Sequence, residues 1–189
     1  MFNKQPKTAS TTEQKSKRIP VKFSNRKRVN SLKIVACVTL LVTALDQYTK
    51  HIILEHLAPG ETITVIPSLF NIILTFNKGA AFGIFSNMPD GHRTIILGMA
   101  TISALAVVAY LLVKDYKGNL WGQIALSMVL GGAFGNIIDR IRLGMVVDFL
   151  DFYIGAYHWP AFNLADSAIT AGICILILIR TTVSRENHK

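Results

Sequence analysis

Asp148, in "MVVDFL", and Asp166, in "NLADSA", are carboxylates set among apolar residues. Once the nearby cations are assigned to other acids, neither has an obvious basic partner in the sequence. If the two face one another, like-charge repulsion and partial desolvation raise one pKa, so that one carboxyl holds a proton near neutral pH while the other is ionised. Aspartic-type peptide hydrolysis requires that pairing. The ionised group takes a proton from the attacking water, and the protonated group polarises the scissile carbonyl and then protonates the leaving amine. Asn136, Arg140 and Asn163 have side chains suited to holding carboxylates and substrate carbonyls in place.

Other polar residues are open to a structural reading. Asp46 with Lys50, and Asp139 with Arg140 or Arg142, are expected as ion pairs that tie helices together or support a site. "HIILEH" (His51 to His56) resembles a zinc motif but matches neither HExxH nor HxxEH, so an interfacial cluster is the better reading. The sequence contains no G-x-S-x-G nucleophile elbow and no G-x-x-x-x-G-K-[ST] phosphate loop.

The elements that must position these groups are apolar. Of the 189 residues, 51% are hydrophobic and only 16% charged, which points to a membrane protein. Charge-free runs cover Thr94 to Val113, Gly118 to Ile138 and Ser167 to Ile179, and Ile34 to Leu45 precedes Asp46. A spanning helix needs about 20 mostly apolar residues. Four spans are therefore expected, at roughly Lys33 to Ile53, Thr94 to Val113, Leu120 to Asp139 and Trp159 to Ile179.

The net charge of +9 is distributed unevenly: ten of the 20 Lys and Arg residues lie in the first 33 positions. Two more fall between Lys114 and Lys117 and three after Ile179, against five elsewhere. By the positive-inside rule both termini are expected on the cytoplasmic side. The basic leader has few aromatic residues for stacking, which argues against nucleic acid and for a disordered, membrane-attracted segment. "DQYTK" follows the first apolar run where a cleaved leader would have small residues, so that run reads as a retained anchor. Cys37 and Cys174 fall inside spans and read as small buried hydrophobes.

Counting helix rise from the cytoplasmic ends puts Asp46 about 20 Å, Asn136 about 24 Å and Asp166 about 21 Å into a core of about 30 Å. Three helices thus bring polar side chains to one layer in the outer third. Asn136 with Arg140, Asp46 with Lys50, and Asn163 with Asp166 each share a helix face. Ser127, Gly131 and Gly135, at spacing four, form a small-residue stripe for close helix packing. Between the first two spans, Thr62 to Phe76 mixes β-branched and aromatic residues around Pro67, and short strands are expected there.

Four blocks then carry a family resemblance: "DQYTK" (Asp46 to Lys50), "NKGAAFG" (Asn77 to Gly83), "GGAFGNIIDRIRLGMVVDF" (Gly131 to Phe149) and "FNLADSAITAG" (Phe162 to Gly172). With the four-span layout the chain resembles the bacterial lipoprotein signal peptidases, the type II signal peptidases. The resemblance implies an aspartic endopeptidase of the bacterial plasma (inner) membrane that needs no metal or other cofactor. It implies cleavage of diacylglyceryl-modified prolipoproteins immediately before the lipidated cysteine, in contact with membrane lipids and without nucleic acid. Asp148 and Asp166 would be the catalytic dyad, with Asp46, Lys50, Asn77, Gly79, Asn136, Arg140 and Asn163 supporting the site or positioning substrate. The expected architecture is membrane all-α with a small extracytoplasmic β part. Residues 1–30 form a basic cytoplasmic extension longer than is usual in this family, 31–180 the four-helix protease domain with an outer β-rich segment at about 55–92, and 181–189 a cytoplasmic tail. On residue chemistry alone a small proton- or cation-coupled carrier remains the alternative.

Overall fold

Four long apolar helices account for most of the chain, joined by short loops and a small sheet. The computed structural model describes residues 31–79 and 88–186; the basic leader, part of the "NKGAAFG" block and the last residues of the tail lie outside that range. The element order is α1 (Ser31–His56), β1 (Thr62–Ile66), β2 (Phe70–Asn77), α2 (Asp90–Lys114), α3 (Leu120–Leu143), β3 (Val146–Ile154), β4 (Tyr157–His158) and α4 (Leu164–Glu186). All four helices are long and apolar enough to cross a membrane. Large apolar side chains such as Leu40, Ile102 and Leu178 face outward from them, as expected where the solvent is lipid rather than water. Cys37 and Cys174 are free and exposed on these outer faces. This corrects the buried reading: a helix in an apolar solvent has no need to turn every apolar residue inward.

α3 is the central helix and packs most extensively on α1 and α4. The expected small-residue stripe makes the α1 contact. A Cβ on Gly131 would lie 2.7 Å from Val42 Cβ and 2.9 Å from the Thr39 carbonyl, and one on Gly135 would collide with the Asp46 carboxylate. The close approach lets side chains of α1 bond to backbone carbonyls of α3 at matched spacing. Thr39 Oγ1 donates to Ser127 O (3.3 Å), Thr43 Oγ1 to Gly131 O (3.0 Å) and Gln47 Nε2 to Gly135 O (3.1 Å). The shared four-residue step shows that α1 and α3 run parallel, with α1 and α3 both ending where the sheet begins.

The sheet is antiparallel, in the order β1-β2-β3-β4. The two strands expected around Pro67 are present, with the turn between them carrying Ser68 at φ 64°. Two strands were not legible in the sequence. β3 follows Gly144, which ends α3 in the left-handed conformation at φ 72°, a position suited to glycine. β3 pairs with β2 from Phe70↔Phe152 to Asn77↔Val146, with an irregularity in β2 between Ile72 and Thr75. Ile53 in the last turns of α1 and Leu57 just beyond it pack on Leu74, Val147 and Phe149, which seats the sheet on the bundle.

On the other edge of β3, Phe162 N donates to Leu150 O (3.1 Å), while the N–H groups of Phe149 and Leu150 donate to Phe162 O (3.0 and 2.8 Å). This pairing holds Phe162 extended, so α4 begins at Leu164 rather than at the expected Trp159.

Gly135→Ala is expected to destabilise the fold by roughly 1–3 kcal/mol through overpacking against Asp46. Gly98→Ala on α2, where the added Cβ meets open space, is expected to leave the melting temperature of the purified protein in detergent micelles unchanged or slightly raised.

Candidate active site

The polar residues of α1, α3 and α4 meet around one ammonium group. Lys50 is 2% exposed, and its Nζ donates to Asp46 Oδ2 (2.8 Å), Asp139 Oδ2 (2.8 Å) and Asn136 Oδ1 (3.0 Å). These three contacts use all three donors of a lysine. Asp139 therefore takes Lys50 as its ion-pair partner, in place of the expected Arg140 or Arg142, because the turn of α3 points it toward α1.

Each carboxylate also fixes a neighbouring chain segment. Asp46 Oδ1 accepts the backbone N–H of Ala165 (2.9 Å), in the first turn of α4, where four N–H groups lack helical partners. Asp139 Oδ2 also accepts the N–H of Val147 in β3 (3.2 Å), and its Oδ1 accepts from Gln47 (2.8 Å). Gln47 is a site residue the sequence reading missed. Its signal was its place inside the "DQYTK" block, one turn beyond Thr43 in the Thr39–Thr43 series.

Asn136 transmits this arrangement to Asp166. With its carbonyl on Lys50, its amide nitrogen faces the other way and donates to Asp166 Oδ1 (2.9 Å). Asn163 serves Asp148, donating through Nδ2 to Asp148 Oδ1 (2.7 Å), with longer contacts to Val147 O (3.1 Å) and Asn136 Oδ1 (3.2 Å). An amide nitrogen has two hydrogens, so the short bond to the carboxylate dominates and the other two acceptors share what remains.

Local structure explains why the NLAD sequence places Asp166 here. Asn163 Oδ1 accepts the N–H of Asp166 (3.0 Å), and Asp166 Oδ2 accepts the N–H of Asn163 (3.4 Å). This reciprocal pair is a capping box, with Asn163 as N-cap and Asp166 at the third helical position. Asp166 thus stands in the first turn of α4, four residues past Phe162, which is pinned to β3. Asp148 arrives from β3, beside the irregularity in β2, a feature that commonly re-aims side chains next to active sites.

Asp148 is 2% exposed. Burial first, and the charge of Asp166 second, push its carboxyl up to about 7, against the opposing pull of hydrogen bonds from Asn77 and Asn163. The two carboxylates therefore lie within electrostatic reach of each other, as the two-carboxylate reading requires. Arg140 lies within the same reach of both, and its guanidinium donates to Gly79 O (3.2 Å) and Asn136 O (3.4 Å). Asn77 Oδ1 accepts the N–H of Gly79 (2.9 Å), so Asn77, Gly79 and Arg140 close one side of the site. All nine residues selected from the sequence are brought together. His51 and Glu55 pair on the exposed surface of α1 near its C-terminal end (3.2 Å).

Two cavities adjoin the carboxylates. One, of about 620 Å³, runs from Asp166 along the apolar face of α4 at Ile169 and Ala171. The other, of about 700 Å³, opens beside Asp148 on the sheet. Asn77 and Trp159–Ala161 border both.

With this geometry in view, the similarity to known proteins is specific. The family model described as signal peptidase (SPase) II matches residues 38–182. The chain belongs to the signal peptidase II family. The lipoprotein signal peptidase of Syntrophus aciditrophicus is 44% identical over 138 residues, covering 73% of this chain and 86% of that protein. That of Syntrophotalea carbinolica is 42% identical over 151 residues, covering 80% and 92%. A bacterial membrane enzyme solved by the in meso method at 2.3 Å resolution superposes with a TM-score of 0.73 at 36% identity, covering 81% of this chain and 90% of that one. This signal peptidase II homologue is accordingly a multi-pass membrane peptidase, a hydrolase that removes signal peptides from lipoprotein precursors. That membership sets aside the carrier reading.

Lys50→Met would leave the Asp46 and Asp139 carboxylates buried without their cation and is expected to cost about 3–5 kcal/mol, read as a lower unfolding temperature in micelles. Asp148→Asn is expected to act in the opposite direction at high pH. Because the folded-state pKa of Asp148, about 7, exceeds the ordinary 3.8, the native protein retains a proton that the unfolded chain releases. Stability then falls as pH rises from about 4 to 7. The Asn variant escapes that loss and should melt above wild type at pH 8, by up to about 4 kcal/mol, with the gap closing toward pH 4.

Proposed function

We propose that this peptidase works by the aspartic mechanism, with Asp148 and Asp166 as the catalytic dyad, and cleaves diacylglyceryl-modified prolipoproteins immediately before the lipidated cysteine. The observation that carries the proposal is the arrangement of the two carboxylates, each held by the amide of a different asparagine, with Asp148 kept protonated near neutral pH in the presence of Asp166. Neutral Asp148 donates to the scissile carbonyl oxygen. Ionised Asp166 takes a proton from water as it attacks the carbonyl carbon, Asp148 gives its own proton to the leaving amine as the tetrahedral intermediate collapses, and the proton now on Asp166 returns to Asp148 to restore the singly protonated pair.

The supporting residues divide between two tasks. Asp46, Lys50, Asn136 and Asn163 hold the dyad in position. Asn77 and Arg140 present donors to substrate carbonyls or to charge developing in the transition state, and Gly79 holds the two in register, its N–H on Asn77 and its carbonyl on Arg140.

The location follows from the same layer. Both termini are cytoplasmic in this reading, so the sheet end of the bundle lies at the outer leaflet of the bacterial inner membrane. A diacylated substrate is anchored in the bilayer, and the apolar cavity along α4 gives it lateral access to Asp166. The leader at residues 1–30 is a cytoplasmic extension whose cations favour the anionic inner surface, and residues 181–189 are a cytoplasmic tail.

A gel-shift assay on a diacylglyceryl-modified prolipoprotein tests the reading. Wild type should trim the precursor, and Asp148→Asn and Asp166→Asn should each remain folded and lose activity by at least about a thousandfold. The rate should fall as pH rises above about 7, where Asp148 loses its proton, the apparent value belonging to the pair. Cleavage that survives either substitution refutes the dyad, and equal cleavage of the unlipidated precursor refutes the substrate assignment.

A further inference from the structure

A second acid–imidazole pair stands in the cavity that holds Asp148. Asp151, on the same strand, is 5% exposed, and its carboxylate takes two donors. Asn71 Nδ2 bonds Oδ2 at 2.9 Å, and His158 Nδ1 lies 2.9 and 3.0 Å from the two oxygens. The His158 ring is also stacked on Tyr153, with centroids 4.9 Å apart and planes 7° from parallel. Position, tilt and rotation of the imidazole are thus all fixed, yet half of the side chain stays open. Both Asp151 and His158 line the cavity beside Asp148, which also carries polar groups from Thr62, Thr75 and Lys78.

The contrast between the two cavities gives the pair a use. The apolar one follows α4 from Asp166 into the spanning region and suits a hydrophobic signal segment. The one on the sheet is the more polar and lies on the side from which a hydrophilic polypeptide would leave. Resting on the functional reading above, we infer that His158 is a specificity-determining contact for the precursor segment on the C-terminal side of the scissile bond. Asp151 acts as its positioning residue. With Nδ1–H donated to the Asp151 carboxylate, neutral imidazole presents the Nε2 lone pair to the cavity, where it accepts a backbone N–H of the substrate. Asp151 lies three residues from Asp148 along β3, about 10 Å at strand rise, so the contact falls about three residues of extended chain beyond the bond that is cut.

The test uses the full chain and two synthetic lipopeptides that share a signal segment and a diacylglyceryl cysteine. One ends at that cysteine as an amide, and the other continues for five residues. His158→Gln can still donate to Asp151 but lacks the second ring nitrogen, and His158→Phe keeps the stack on Tyr153. Each variant should lower kcat/KM for the extended peptide about tenfold, the loss of one hydrogen bond, and change that for the short peptide less than twofold. An equal loss on both peptides, or no loss on either, overturns the inference while leaving the functional reading intact. Failure of wild type to cleave either peptide defeats the functional reading itself.

Discussion

The ammonium of Lys50 organises the site because it has three donors and no water to share them with. Its bonds to Asp46, Asp139 and Asn136 join α1 to α3, and each acid extends the connection to one further element. Asp46 reaches the first turn of α4 and Asp139 reaches the start of β3. A buried charge set of this kind adds little net stability, since desolvation offsets most of the attraction, but each partner is costly to remove alone. What it supplies is orientation. An asparagine amide can turn over at little intrinsic cost, and Asn136 cannot do so here, because its oxygen faces a cation and its nitrogen a carboxylate.

Asp148 is placed by long-range strand pairing and Asp166 by a local cap, and the Phe162–Leu150 pairing joins the two mechanisms. The consequence is a buried carboxyl close to another carboxylate. Such a group opposes the stability of the fold at neutral pH, and that strain is the property an acid catalyst needs. The close helix contacts at Gly131 and Gly135, reinforced by the hydroxyl–carbonyl bonds of Thr39 and Thr43, supply the rigidity that holds it.

The sheet does more than cover the helices. Its third strand carries Asp148 and Asp151 on one wall of a cavity, while Trp159–Ala161 separates that cavity from the apolar one along α4. The division matches an amphipathic substrate: apolar contacts lie beside the helix and polar contacts beside the strands. Apolar surface suffices where the partner is a membrane segment, but selection of a hydrophilic chain depends on a few fixed hydrogen bonds.

By itself the sequence determined the four apolar helices, since charge-free runs of spanning length have few other stable structures. It also determined that Asp46, Asn136 and Asp166 meet in one layer, because helix rise converts residue number directly into distance. The small-residue stripe and the strands around Pro67 were legible for the same reason: their patterns are local. The tertiary structure decided that Lys50 serves Asp139, and that Val146–Ile154 is a strand, since most of its pairing partners, Phe70–Asn77 on one edge and Phe162 on the other, lie outside that segment. It decided too that Cys37 and Cys174 face outward and that α4 starts at Leu164. Those outcomes depend on which faces of distant segments meet, and residue spacing within one segment carries no information about the rotation of another.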